Sequence, residues 1–161
     1  MTSQFPEKLV YNGEDVGMCS TPLDDYFTLI NWQPEFLVNC TGLWRGYVGG
    51  WLIEKQRLYL TEIKNAKLPS GEEVTLETFF PDSDGKVFAH WFSGTIRIPR
   101  GELIKYFHGG FASVYERDEC LEFKEGVLTD QWIQENTLDE ATNRPVSLRH
   151  RLKAAFNRLF R

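Results

Sequence analysis

Residues 43–63 constrain the fold of this chain more than any other stretch. Two β-prone runs, rich in aliphatic and aromatic residues, flank the short polar sequence 55–57. Runs of this kind around a short polar break are typical of an antiparallel hairpin. Glycines in the first run leave room for twist, for a bulge or for close backbone approach. The stretch predicts a hairpin in which Trp51 and Tyr59 are buried or paired across the strands.

The same shape recurs twice further along the chain. A strand-like run at 94–98 precedes the break Pro99-Arg100-Gly101 and a second run at 102–107, and a third copy spans 114–133 around a turn at 124–126. Because the copies share shape and little sequence, they indicate a meander rather than a solenoid. We therefore expect an α+β, mainly β fold: a twisted, partly closed antiparallel sheet of about six strands with one C-terminal helix.

Residues 1–42 are interrupted by glycines and prolines, which is typical of irregular structure. Thr21 followed by Pro22 and two aspartates predicts one short helix there. Thr is a good N-cap, Pro is tolerated in the first turn, and acidic residues favour the positive end of a helix. Chain length is that of one domain, which we place at residues 1–146.

The charge is distributed unevenly along the chain. Residues 1–143 contain 23 acidic and 12 basic residues, a net charge of −11, whereas residues 144–161 contain six basic residues and no acidic one. Leu148, Leu152 and Phe156 recur at helical spacing, so residues 147–161 predict a basic amphipathic helix. This helix could pack on the acidic body, lie on an anionic membrane, contact nucleic acid or dock on an acidic protein. We expect packing on the body, because most amphipathic helices of small domains pack locally.

The cysteines and the N-terminus bear on the compartment. Three widely spaced cysteines, an odd number, favour free thiols over a disulfide framework. No basic segment followed by an apolar one begins the chain, and no apolar run approaches the length of a transmembrane helix. The sequence therefore predicts a cytoplasmic protein, whose only membrane contact would be through residues 147–161.

The histidines and Arg45 are the first candidate site residues. His90 and His108 have no histidine or cysteine at ligand spacing, so neither a metal site nor a cofactor is expected. His90 lies beside a tryptophan and His108 precedes two glycines, and either could be catalytic or merely structural. Arg45 lies in an aromatic-rich setting, where it could hold an anion, stack on a ring or form a buried structural ion pair.

Four carboxylates are concentrated between residues 116 and 122. On a strand, Glu116, Asp118 and Glu122 share one face. Such a row can perform acid/base chemistry if burial separates the pKa values of its members. The alternative, which we favour, is a solvated face of the sheet, because charged residues are seldom buried.

Three short segments resemble a family of small, uncharacterised bacterial proteins. They are Arg45-Gly-Tyr-Val-Gly, Phe92-Ser-Gly-Thr and Ser113-Val-Tyr-Glu-Arg-Asp. The resemblance covers residues 19–128. It implies a bacterial cytoplasmic protein, and it carries with it no activity, ligand or active site.

The function these features favour is non-enzymatic protein binding. The chain is 14% aromatic, its body is acidic, and no catalytic constellation is complete. A protein of this kind could act as an immunity protein or an inhibitor, neutralising a protein partner through an acidic, aromatic-rich surface, with no sequence-specific nucleic-acid binding. The alternative is a small hydrolase or transferase, with a pocket containing Arg45, His90 or His108 and the 116–122 carboxylates. A membrane-surface adaptor acting through residues 147–161 is a third interpretation.

Overall fold

The computed structural model describes residues 2–138 and 145–150. The strands are β1 Glu7–Tyr11, β2 Glu14–Met18, β3 Val48–Glu54, β4 Arg57–Lys64, β5 Ala66–Lys67, β6 Glu73–Val74, β7 Val87–Phe88, β8 Gly94–Lys105, β9 Val114–Lys124, β10 Val127–Leu138 and β11 Pro145–His150. The helices are α1 Pro22–Leu29 and α2 Leu76–Phe79, with a 3₁₀ turn at Thr41–Leu43.

Nine of the described strands form one sheet. Its order is β2-β1-β3-β4-β10-β9-β8, with β7 paired to β4 and β11 paired to β10, while β5 and β6 form a separate ladder. All pairings between the described strands are antiparallel except that of β1 with β3. A parallel pair needs a crossover connection. Residues 19–47, which contain α1, supply it.

Three hairpins share one kind of turn. Their two-residue turns, each with positive φ at both positions, are Asn12-Gly13, Lys55-Gln56 and Glu125-Gly126. Such turns match the twist of the flanking strands. The hairpins predicted at 43–63 and 114–133 are confirmed. In the first of them Trp51 is 1% exposed, and Tyr59 pairs with Leu52 and Phe88, as expected.

The predicted fold is wrong in the number of strands and in the C-terminal helix. The main sheet has nine described strands rather than about six, and residues 147–150 of the expected helix belong to β11. This strand pairs antiparallel with β10 from Ile133↔His150 to Leu138↔Pro145. Apolar residues at 146 and 148 also fit the strand period, and the long β10 offers them an edge. The remainder of the expected helix, 151–161, and residues 139–144 lie outside the described residues.

Two further expectations are corrected. Residues 1–42 contain the β1–β2 hairpin as well as the predicted α1. The second predicted hairpin, with a break at residues 99–101, is wrong: β8 runs through these residues, with register shifts between Arg100 and Lys105. Gly101 adopts a φ of 80° at this irregularity. β8 is an edge strand, where proline is tolerated, so Pro99 does not end it.

The sheet curls until its outer strands approach each other. The Cys19 N–H, just after β2, donates to the Arg97 carbonyl of β8 at 2.8 Å. A second short contact joins β4 to β10 beside two hairpin turns. Leu58 N–H donates to the Gly126 carbonyl at 2.9 Å, and Leu128 N–H donates to the Gln56 carbonyl at 2.8 Å. Inside lie aliphatic side chains from the facing strands, among them Leu9, Leu58, Leu60, Ile96, Ile98 and Leu121.

A cluster of aromatic rings packs α1 and α2 against the sheet. The rings of Phe27 and Tyr47 are 6.0 Å apart and those of Tyr26 and Trp91 are 4.9 Å apart. The cluster contains Tyr26, Phe27, Trp32, Phe36, Tyr47, Phe79, Phe80 and Trp91. Edge and tilted contacts of this kind stabilise a core beyond the area they bury. Much of the high aromatic content therefore serves packing rather than a surface.

Candidate functional site

The most unusual buried group is the carboxylate of Glu7. Residues 7, 9 and 11 of β1 alternate toward the interior, and Glu7 is 0% exposed. It accepts the Arg45 Nε–H at 2.8 Å and the Trp51 Nε1–H at 3.0 Å. The Nη2 atom of Arg45 is also 2.8 Å from Glu7 Oε1. Arg45 follows the 3₁₀ turn that leads into β3, so the crossover and two strands build this cluster.

Burial dominates the electrostatics of this cluster. It raises the pKa of Glu7 to about 7, against the opposing effects of Arg45, the Trp51 hydrogen bond and the Gly49 amide. The Tyr47 hydroxyl donates to Asp24 Oδ1 at 2.7 Å, and burial together with the Glu7 and Asp24 charges raises the pKa of Tyr47. At neutral pH Tyr47 therefore stays protonated, and Glu7 is the group that can exchange a proton there.

Gly49 is the position in β3 that lets Glu7 and Trp51 meet. A Cβ at residue 49 would lie 2.0 Å from Glu7 Oε2 and 2.7 Å from Trp51 Nε1. Gly49→Ala is therefore expected to lower the free energy of unfolding by about 1–3 kcal/mol, measured by urea denaturation. Gly109→Ala is the matched control, because a Cβ at residue 109 meets nothing within 4 Å. Equal stability of the two variants would contradict the close packing of this cluster.

A second ion pair joins β8 to β9. Arg97 Nη1 donates to Asp118 Oδ1 at 3.1 Å, and its Nη2 donates to the Phe111 carbonyl. Asn136 Nδ2 donates to the other Asp118 oxygen at 2.9 Å and to the Tyr115 carbonyl at 3.1 Å. Both carboxylate oxygens of the buried Asp118 are thus occupied, which suits a structural role.

A cavity of about 220 Å³ lies beside this pair, at the junction of β2 and β8. We call it the Cys19 cavity; its walls come from Ser3, Gln4, Pro6, Gly17, Cys19, Arg97, Pro99, Phe111, Ser113 and Tyr115. The Arg45 guanidinium lies 5.8 Å from the centre of the Phe111 ring. Burial raises the pKa of the Cys19 thiol, Asp118 also raises it, and Arg97 and Arg45 have smaller opposing effects. The cavity therefore holds a neutral thiol and the Arg97 guanidinium, with Arg45 beyond the Phe111 ring.

The structure distributes the five predicted site residues over several places. Arg45 forms the buried ion pair that was one of its alternatives, and it also lies 5.5 Å from the Tyr47 ring centre. Asp118 pairs with Arg97, whereas Glu116 is exposed beside Arg117. His90 and His108 are exposed, each edge-on to an aromatic neighbour in its own loop. Neither histidine is among the residues that line the Cys19 cavity.

Sequence reasoning missed Glu7, Cys19 and Arg97. Glu7 could have been found, since Asn12-Gly13 is a strong hairpin signal and the alternation of residues 7, 9 and 11 then places Glu7 on the apolar face. Cys19 and Arg97 meet only because the sheet curls, and no local sequence pattern predicts that contact.

A surface feature lies nearby, on the segments before β1 and β3. Phe5, Leu37, Val38 and Trp44 are exposed and form what we call the apolar patch, in which Trp44 is 62% and Phe5 54% exposed. Phe5 and Leu37 also line a recess of about 340 Å³ together with Leu43. Phe5 lines one end of a wider groove of about 690 Å³ on the outer face of β1–β4. The patch is thus continuous with concave surface on both sides of Phe5.

No protein-family model matches the sequence, and comparison with curated proteins and with solved structures also finds no match. The resemblance of the three short segments to a bacterial family therefore stays a prediction. Among the described residues, no helix is long and apolar enough to cross a membrane.

Proposed function

We propose that this chain is a non-enzymatic binding protein that engages a protein partner through the apolar patch. The observation that carries the proposal is the exposure of Trp44 and Phe5, on segments linked by backbone hydrogen bonds, in a fold that buries most of its aromatic rings. Exposed aromatic anchors beside a recess are characteristic of interface hot spots. Covering them with a partner surface removes apolar area from water, which favours association.

The backbone under the patch is well fixed. The Trp44 N–H donates to Gln4 Oε1 at 2.8 Å, and the Phe5 N–H donates to the Gly42 carbonyl at 2.9 Å. On the far side, the Leu37 N–H donates to the Lys67 carbonyl at 2.8 Å. Because these segments are already ordered, binding would cost little further backbone entropy. This preorganisation supports a recognition surface.

Charge supports a basic partner. The excess of acidic residues in 1–143 attracts a positively charged protein and speeds its encounter. We therefore propose a cytoplasmic immunity or inhibitor protein whose partner is basic, such as a toxin or an enzyme that acts on nucleic acid. In this role the apolar patch would supply affinity, while the acidic body would steer the approach.

The same geometry favours binding over the hydrolase or transferase alternative. That alternative needs Arg45, a histidine and a carboxylate in one pocket. Arg45 is engaged by Glu7, Asp118 is engaged by Arg97 and Asn136, and both candidate histidines are exposed in their own loops. Groups already held in buried pairs are poorly placed to exchange protons with a substrate.

The test uses the protein encoded by the neighbouring gene, because an immunity gene lies beside that of its toxin. Isothermal titration calorimetry should show binding to the wild-type chain and a loss of about 2 kcal/mol or more with Trp44→Ser. Val127→Ser is the control, since Val127 is exposed beside the opposite end of β3 and β4. Its affinity should equal that of the wild type. No binding, or equal binding by Trp44→Ser, would refute the proposal.

A further inference from the structure

We propose that the Cys19 cavity is a binding site for a small carboxylate with a flat apolar body, such as an aromatic acid. Arg97 would bind the carboxylate, and the walls formed by Phe111 and the prolines would hold the ring. This site is independent of the apolar patch, and the ligand-binding proposal can be tested separately from the protein-binding role.

Arg97 has hydrogen-bonding capacity to spare. A guanidinium carries five N–H donors in a planar fork. Within the described residues Arg97 gives one to Asp118 and one to the Phe111 carbonyl. Its side chain lines the cavity and is 26% exposed. Three donors therefore remain with which Arg97 could bind a ligand oxygen while the pair with Asp118 stays intact.

The charges around the cavity favour an anion. The oxygens of Asp118 accept from Arg97 and Asn136, and the Asp118 charge raises the pKa of Cys19, opposite to the effects of Arg97 and Arg45. Arg45 lies behind Phe111, and its own partner Glu7 has a pKa raised to about 7 by burial. A partly protonated Glu7 leaves some of the Arg45 charge uncompensated near neutral pH. Two cations, Arg97 and Arg45, then stand against Asp118 and a partly protonated Glu7, which leaves a positive sum over these four groups.

The walls restrict the body of the ligand. Pro6, Pro99 and the Phe111 ring present apolar surface, while Tyr115 and the serines add polar groups at the margin. A volume of about 220 Å³ is below that of sites for drug-sized molecules. One planar ring bearing a carboxylate fits this combination, because the ring can stack on Phe111 and the anion can bind a guanidinium. A bare dianion would leave the apolar walls unused.

The chain carries its own reporter for this site. Cys19 lines the cavity, Cys40 is exposed elsewhere, and Cys120 is buried. The rate of alkylation of each thiol by iodoacetamide can be followed by mass spectrometry on the intact, native chain. Sodium benzoate is the probe, and benzamide is the neutral control of nearly the same shape. We expect saturating benzoate to slow alkylation of Cys19 by about tenfold, with no change at Cys40 and little effect of benzamide.

Two variants test the roles of the aromatic ring and of the guanidinium. Phe111→Ala retains the carbonyl that Arg97 binds but removes the aromatic wall, so benzoate should protect Cys19 in this variant at least about tenfold less tightly. Arg97→Lys should also lose protection, because lysine lacks the planar fork. Equal protection by benzamide, equal slowing at Cys40, or no protection by benzoate at millimolar concentration would each overturn the proposal. Unchanged protection in a folded Phe111→Ala chain would do so as well.

Discussion

Replacing Trp51 with alanine is expected to lower the free energy of unfolding by about 3–5 kcal/mol. The indole is 1% exposed and belongs to the hydrophobic core of the described residues, so its removal leaves a large cavity. Its Nε1–H also donates to the buried Glu7 carboxylate, which would lose one of its few partners. Both effects act in the same direction, and urea denaturation followed by circular dichroism measures their sum.

Two companion variants separate the effects. Trp51→Phe keeps an aromatic ring but removes the N–H donor, and it is expected to cost about 1–3 kcal/mol, the penalty for an unsatisfied buried polar group. Tyr59→Ala should cost less than Trp51→Ala, because Tyr59 is only half buried on the neighbouring strand. A loss below about 1 kcal/mol for Trp51→Ala would show that the ring is not a core element.

The second large effect is a pH dependence of stability that originates at Glu7. Burial raises the folded-state pKa of Glu7 from 4.5 to about 7. The folded state therefore binds this proton more tightly than the unfolded state does. The resulting stabilisation is fully present below pH 4.5, falls as the pH rises toward 7, and is absent above it. The linked free energy is about 3 kcal/mol.

Glu7→Gln removes this titration. The variant should lose less stability between pH 5 and pH 8 than the wild type does, by roughly 2–3 kcal/mol, in urea denaturation at a series of pH values. Glu62→Gln is the matched control, because Glu62 lies in the same sheet, on β4, with an exposed ion pair to Lys64. Its pH profile should follow that of the wild type. Parallel profiles for Glu7→Gln and the wild type would contradict a proton-binding role for Glu7.

Local patterns predicted two of the hairpins and α1, where turn residues and alternation lie within a few positions of each other. The 43–63 hairpin follows from its own sequence, and so does the helix that begins at Pro22. The β1–β2 hairpin was open to the same reasoning through Asn12-Gly13 and was missed because the glycines and prolines around it indicated irregular structure. Its partner β3 could not be found in this way, since a parallel pairing depends on the whole crossover.

The C-terminal residues show a second limit on prediction from local sequence patterns. Residues 145–150 satisfy the strand period at two positions, while the helical period needs residues beyond 150 to become visible. Over so short a stretch, the available edge of β10 decides between the two. Propensity is a weak prior that tertiary context overrides.

At the site, the sequence offered Arg45 with three alternatives, and one of them was the ion pair that forms. Its partner Glu7 is 38 positions away. Asp118 was predicted on a solvated face of the sheet, but it is 4% exposed, and its burial depends on Arg97 and Asn136, which reach it from both neighbouring strands. Burial and pairing of this kind are properties of the folded sheet.

The contacts that close the sheet, between β2 and β8 and between β4 and β10, affect the order of folding events. Each hairpin closes a short loop, whereas the contacts of Cys19 with Arg97 and of Leu58 with Gly126 join segments far apart in the chain. Loop-closure entropy makes such distant contacts slow to form. Hairpins can therefore assemble first, and closure of the curled sheet becomes the late step. In the native protein, the same few bonds define the easiest local opening, in which two halves of the sheet part while each hairpin remains intact.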